Sequence, residues 1–154
     1  MSSIELRLTA PSDAAAVSQV MYDALEPDEL RWALINDPTA STYAAYDGES
    51  LVAGAVVRWG TESEIDLLAV NDSRRGQGIG KHVVKLLLAE AQARAVQRVV
   101  VGTATVSLDN ILFYQKCGFR MSHVRRDYFD HITTPIEEHG IRLRDMIVFD
   151  YIFG

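Results

Sequence analysis

One α/β (α+β) domain spanning residues 1–154 is the fold predicted here, on three observations. The first half carries alternating, strand-like segments with a strong hairpin signal between two of them. The second half runs strand, helix, strand, helix. At 154 residues with 48% hydrophobic residues, the chain suits one domain and can bury a substantial core.

Residues 4–8 alternate apolar and polar side chains and read as a first strand. Ser12 or Asp13 can cap a helix in which Ala16, Val17, Val20, Met21 and Leu25 recur at helical spacing. Pro27 ends or redirects that segment, residues 28–35 read as a short second helix, and Pro38 breaks the chain again. Residues 42–46 and 51–59 are strand-like and meet across Asp47-Gly48. A further strand covers 64–70, with Ile65, Leu67, Leu68 and Val70 apolar.

A polar, glycine-rich turn follows, then a helix over 79–94 with Ile79, Val83, Leu86, Leu87 and Ala91 on one side. Residues 98–102 form a short apolar strand of the kind buried on both faces. A second helix spans 109–117, and Gly118 can terminate it. Residues 119–124 and 141–149 are the last strand candidates, separated by a polar, Pro-containing insertion over 130–140.

The formal net charge of -6, from 15 Lys plus Arg against 21 Asp plus Glu, argues against wholesale nucleic-acid or anionic-membrane binding. No segment approaches the roughly 20 apolar residues of a membrane span. The N-terminus has no basic region followed by an apolar run, and Cys117 is the single cysteine, so the expectation is a cytoplasmic protein without an intrachain disulfide. His82, His123, His131 and His139 show no ligand spacing with carboxylates or cysteines, so no metal is expected.

Most of the functional information lies between Glu64 and Lys81. A strand runs into Arg75-Gly76-Gln77-Gly78-Ile79-Gly80, and a helix begins within that turn. Backbone N–H groups of a first helical turn lack intrahelical acceptors and, with the helix dipole, favour an anion. Glycines let the backbone turn sharply and let a ligand approach. Arg74, Arg75 and Lys81 sit at the positive helix end, which disfavours each by ~0.3–1 kcal/mol until a polyanion binds. A Walker A loop is excluded because Arg75 stands where its first glycine belongs and His82 follows Lys81. A dinucleotide fingerprint starting at Gly76 would need glycine in place of Lys81.

With those excluded, the segment resembles the GNAT superfamily of N-acetyltransferases. That family's pyrophosphate loop reads Arg/Gln-x-x-Gly-x-Gly/Ala, and Arg75, Gly78 and Gly80 match it. The family also places an Asn at the start of the next helix and Tyr-x-x-x-Gly-Phe near its end, matched by Asn110, Tyr114, Gly118 and Phe119. The likeness is clear from about residue 41 to 124 and weaker on either side. It implies a mixed, mostly antiparallel central sheet of about six to seven strands flanked by about four helices. It also implies acetyl-CoA as cosubstrate, held in a cleft where the strand ending at Val70 splays from that around residues 99–103.

The resemblance assigns roles residue by residue. Backbone groups of Leu68, Ala69 and Val70 would hydrogen-bond the pantetheine arm and polarise the thioester carbonyl. Arg75 and Gly76, with Gln77, Gly78, Ile79, Gly80 and Lys81, would hold the pyrophosphate, and Asn110 would reach the pantetheine side. An amine with a pKa near ~10.4 must lose a proton before it attacks. Glu64 matches where several family members place the general base. Asp66 is two residues on and shares its face in a regular strand, whereas a bulge would separate them. Either carboxylate or a water chain remains open. Tyr114, one turn beyond Asn110, matches the tyrosine that protonates the leaving thiolate, the alternative being a core tyrosine.

The acceptor implied is a small-molecule or peptide amine. Other readings are a non-catalytic acyl-CoA-binding domain or a transferase for longer acyl groups. Cys117 reads as a helix-end core residue. Trp32 and Trp59 either pack or wall the acceptor pocket, and Arg125, Arg126 and Asp127 read as a solvated turn. The insertion 130–140 either closes over the acceptor or connects strands. The C-terminal strand lies in the sheet or pairs across a homodimer.

Overall fold

The computed structural model describes residues 3–9 and 37–154, together with Ala16, Val17 and Gln19. Nine strands form among them. β1 (Ile4–Leu8), β2 (Ser41–Asp47), β3 (Ser50–Arg58) and β4 (Glu62–Val70) precede helix α1 (Ile79–Ala93). β5 (Arg98–Ala104), α2 (Leu108–Lys116), β6 (Arg120–Arg125), β7 (Glu137–Glu138), β8 (Ile141–Arg142) and β9 (Met146–Ile152) follow. Short 3-10 turns cover Asp72–Arg74 and Tyr128–His131.

Seven strands make one sheet in the order β1-β2-β3-β4-β5-β9-β6. Every neighbouring pair is antiparallel except β4 and β5, which run parallel around α1. That single parallel pair is what a strand–helix–strand run requires, because parallel strands need a long crossover. Asp47 pairs directly with Ser50, so the Asp47-Gly48 signal closes the β2–β3 hairpin in two residues.

The apolar stripe of α1 supplies Ile79, Val83, Val84, Leu87 and Ala91 to one face of the sheet. There they meet Ala53, Ala55 and Val57 of β3, Ile65 of β4, Val99 and Val101 of β5, and Phe149 of β9. Val100 points the other way into a second cluster with Phe129, Leu143, Met146 and Val148. β5 is thus buried on both faces, as its unbroken apolar run predicts.

Several expectations are corrected. Two α-helices, not about four, occur among the described residues. The two helices expected within 12–35 fall largely outside those residues; of them only Ala16, Val17 and Gln19 are described, and they are helical. Trp32 lies outside as well. The single strand expected at 141–149 is two. Ile141–Arg142 pairs with Glu137–Glu138 in a separate hairpin, and Met146–Ile152 joins the sheet. Between them the backbone turns to other partners: Leu143 N–H donates to Ile136, while Phe129 and Thr105 N–H groups donate to Arg144 and Asp145. β6 starts one residue late: the Phe119 N–H donates back to the Tyr114 carbonyl at 3.0 Å, closing the end of α2.

β9 is interior, with β5 on one side and β6 on the other, so it offers no free edge for pairing across a dimer. Among the described residues no helix is long and apolar enough to cross a membrane.

Candidate active site

The cleft originates in the register of β4. Its parallel pairing with β5 runs from Glu62↔Arg98 to Ile65↔Val101 and stops there. On the other side Val57 pairs with Ile65 and Val56 with Leu67, which leaves Asp66 as an extra, bulged residue. A bulge bends and over-twists its strand. Here the bend coincides with the point where β4 leaves β5, and residues 66–70 have no strand partner on the β5 side. A cavity of about 1040 Å³ occupies the opening. Leu68, Ala69 and Val70 line it beyond the last β4–β5 pair, where backbone groups that point away from β3 have no strand to bond.

At the end of β4 the chain makes a 3-10 turn and enters the glycine loop. Gly76 and Gly78 have φ of +76° and +78°, and a Cβ at either would meet nothing within 4 Å. Both are therefore glycine for backbone conformation, and both leave open space for a ligand. Gly78 caps α1 without a side-chain hydrogen bond, and no acidic residue sits in the first turn. N–H groups of residues 79–81 donate to no acceptor among the described residues. Gly80 serves a different end: its Cβ would lie 3.2 Å from the Phe113 ring, so its absence lets α1 approach α2.

Arg75, Gly76, Gly78, Ile79, Gly80 and Lys81 all line the cavity. Gln77 is the exception among the expected loop residues, since its Oε1 accepts a hydrogen bond from Arg74 Nε at 3.0 Å. Arg74 is held further by Asp47 of the β2–β3 turn, and Arg75 pairs with Asp72 at 2.9 Å. Orphan N–H groups, a cationic rim and absent Cβ atoms fit a pyrophosphate.

Glu64 and Asp66 both face the cavity despite the bulge. Arg58 grips Asp66 with two hydrogen bonds, Nε to Oδ2 at 2.7 Å and Nη2 to Oδ1 at 3.0 Å. Glu64 Oε1 is 3.8 Å from Arg58 Nη2 and 3.7 Å from Arg125 Nη2. Burial raises the Glu64 carboxyl above its ordinary range, and the neighbouring Asp66 charge raises it further; Arg125 and Arg58 oppose both.

Across the cavity, Tyr114 lines the wall from α2 and is only 7% exposed. Phe113 and Phe119 meet its ring edge-on, at 5.1 and 5.9 Å between centroids. It is thus both a core residue and a cavity residue. Burial, and secondarily Cys117, pushes its phenol well above the usual tyrosine value, so it stays protonated. Asn110 lies one turn earlier on the same wall, its Nδ2 donating to Thr103 Oγ1 at 3.3 Å. Cys117 is half-buried at the end of α2, its thiol raised by burial against the lowering effect of Lys81.

Several cavity residues carry no sequence expectation or a mistaken one. Arg125 is not part of a solvated turn; it ends β6 and lines the cavity. Arg58, Thr103, Phe113 and Tyr128 line it too. Glu138 and His139 of the 130–140 insertion join them, with Ser107 Oγ donating to Glu138 at 3.2 Å. Trp59 is not on the wall; it donates to the Tyr43 hydroxyl, and Arg94 stacks over its ring at 4.7 Å. Among the described residues no group of three or more His, Cys, Asp or Glu side chains could hold a metal ion.

The fold recurs in known proteins. The Acetyltransferase (GNAT) family matches residues 9–119. The uncharacterized N-acetyltransferase YvbK of Bacillus subtilis is 35% identical over 109 residues, 68% of this chain and 70% of that protein. A GNAT family acetyltransferase from Elizabethkingia anophelis, solved with acetyl-CoA bound, is similar at TM-score 0.85 and 26% identity, covering 97% of this chain and 98% of that one. A Bacillus subtilis acetyltransferase in complex with CoA has TM-score 0.82 and 26% identity, with 99% of each chain covered. The chain belongs to the GNAT family of acetyltransferases.

Proposed function

We propose that this protein transfers the acetyl group of acetyl-CoA to a primary amine by direct attack of the amine nitrogen on the thioester carbon. The observation that carries the reading is one continuous cavity. It holds the unpaired end of β4, the orphan N–H groups of α1, a carboxylate raised in pKa and a buried, protonated tyrosine.

On this reading the loop from Arg75 to Gly80 and Lys81 holds the pyrophosphate. Leu68, Ala69 and Val70 fix the pantetheine arm through their backbone, with Asn110 beside it. Glu64 takes a proton from the incoming ammonium, directly or through water, leaving a neutral nitrogen. Attack develops negative charge on the thioester oxygen, which β4 N–H groups stabilise. Collapse breaks the carbon–sulfur bond, and the Tyr114 hydroxyl gives its proton to the departing thiolate. The second nitrogen proton leaves to solvent, and the proton that Glu64 took returns through water to the Tyr114 phenolate, which resets both residues, so the products are an amide, a thiol and one released proton. The overall negative charge of the chain suits a cationic amine.

Thiol release measured across an amine panel, with mass spectrometry of the product, tests this. The reading predicts an N-acetylated product from at least one primary amine, and its loss in Glu64→Gln. Thiol release at the no-amine background for every amine, by an enzyme that binds acetyl-CoA, would instead support the non-catalytic alternative.

A further inference from the structure

The acceptor can be narrowed by asking which cations in the cavity are already engaged. Arg74 is held by Asp47 and Gln77, Arg75 by Asp72, and Arg58 by both oxygens of Asp66. Arg125 differs. Its side chain is 35% exposed and lines the cavity, with Glu64 as its ion-pair partner at 3.7 Å. That separation is too long for a hydrogen bond, and an ion pair of that length within reach of solvent is weak and exchangeable. Among the described residues nothing accepts a hydrogen bond from its guanidinium.

A guanidinium offers five N–H donors in a planar fork that matches a carboxylate or a phosphate. Arg125 is placed beside the carboxylates that suit an ammonium, at the opposite end of β4 from the glycine loop. Tyr128, three residues on, adds an aromatic wall with Phe129 packed edge-on behind it at 5.1 Å. We propose that the acceptor is a primary amine that also carries an anionic group, carboxylate or phosphate, with Arg125 binding the anion while Glu64 receives the amine. The proposal rests on the acetyltransfer reading above. Arg125 is its specificity-determining residue, set at the Glu64 end of the cavity and apart from the glycine loop.

Matched acceptors separate the two claims: 2-aminoethyl phosphate against 2-aminoethanol, β-alanine against β-alaninamide, and spermidine as a polycation. Each is assayed with wild type, Arg125→Ala, Arg125→Lys and Arg125→Glu. Thiol release gives kcat/KM, and calorimetry on CoA-saturated protein gives acceptor binding. In the wild type at least one anionic amine should exceed its uncharged partner by about tenfold or more, chiefly through KM. The phosphate and carboxylate pairs show which anion is preferred. Arg125→Ala should erase the difference, Arg125→Lys keep part of it and Arg125→Glu invert it, all with unchanged acetyl-CoA affinity.

Preference for uncharged or polycationic amines, unaltered in Arg125→Ala, overturns the proposal while leaving acetyltransfer standing. Failure to bind acetyl-CoA, with no thiol release from any amine, overturns both. If acetyl-CoA binds but no panel amine turns over, calorimetry decides. Anionic-amine binding that Arg125→Ala abolishes supports the proposal, and its absence in the wild type overturns it.

Discussion

Tyr114 keeps its proton because it is buried, and its ring packs among aromatic side chains. Its hydroxyl makes no hydrogen bond to any described residue, so Tyr114→Phe should leave thermal stability almost unchanged. The same variant should lower kcat by about 10²-fold or more with acetyl-CoA affinity retained, measured by steady-state kinetics beside calorimetry. An unchanged kcat on a genuine acceptor removes Tyr114 as the acid. Glu64 and Asp66 separate by pH. Glu64 acts as base only when ionised, and its pKa is raised, so the rate falls as pH drops through a value above the usual carboxylate range. Glu64→Gln should abolish that acidic limb. Asp66→Asn should keep it but move it to lower pH, because the Asp66 charge that raises Glu64 is gone. A pH–rate profile that loses its limb only in Asp66→Asn reverses the assignment.

Among the elements, β4 and α1 do most to build the site. α1 presents an uncapped N-terminus to the cavity and anchors itself through its apolar stripe. Leu87→Ala removes a fully buried side chain from that stripe and should cost about 2–5 kcal/mol in denaturant unfolding, with acetyl-CoA affinity of the folded protein maintained. Gly78→Ala places an L-residue at φ +78° and should cost about 1–2 kcal/mol. The strand, hairpin and helix segments from residue 42 to 124 are legible in sequence because periodicity, a two-residue turn and glycine punctuation are local signals. The bulge at Asp66 is not. It depends on how β3 and β4 register, which neither strand encodes alone.

Across the whole molecule, the site divides along the same line. The glycine loop, Asn110 and Tyr114 are readable because each motif lies within one strand–loop–helix stretch of chain. Arg58 reaches the cavity from β3, paired beside β4, whereas Arg125 at the end of edge strand β6 and Glu138 and His139 of the separate β7–β8 hairpin join it across long sequence separations. Arg125 in particular sits in an Arg-Arg-Asp run that locally reads as solvated surface. Its recruitment is a product of topology.

On the proposed reading the cavity between β4 and β5, closed by the glycine loop, holds acetyl-CoA. Calorimetric titration of acetyl-CoA into wild type and Gly78→Glu tests it most directly. The carboxylate of the variant would occupy the open space at Gly78 and repel a pyrophosphate. Saturable one-to-one binding by wild type, weakened by at least about tenfold in a Gly78→Glu protein that remains folded by circular dichroism, is the result predicted. Equal affinity in the two proteins would contradict it.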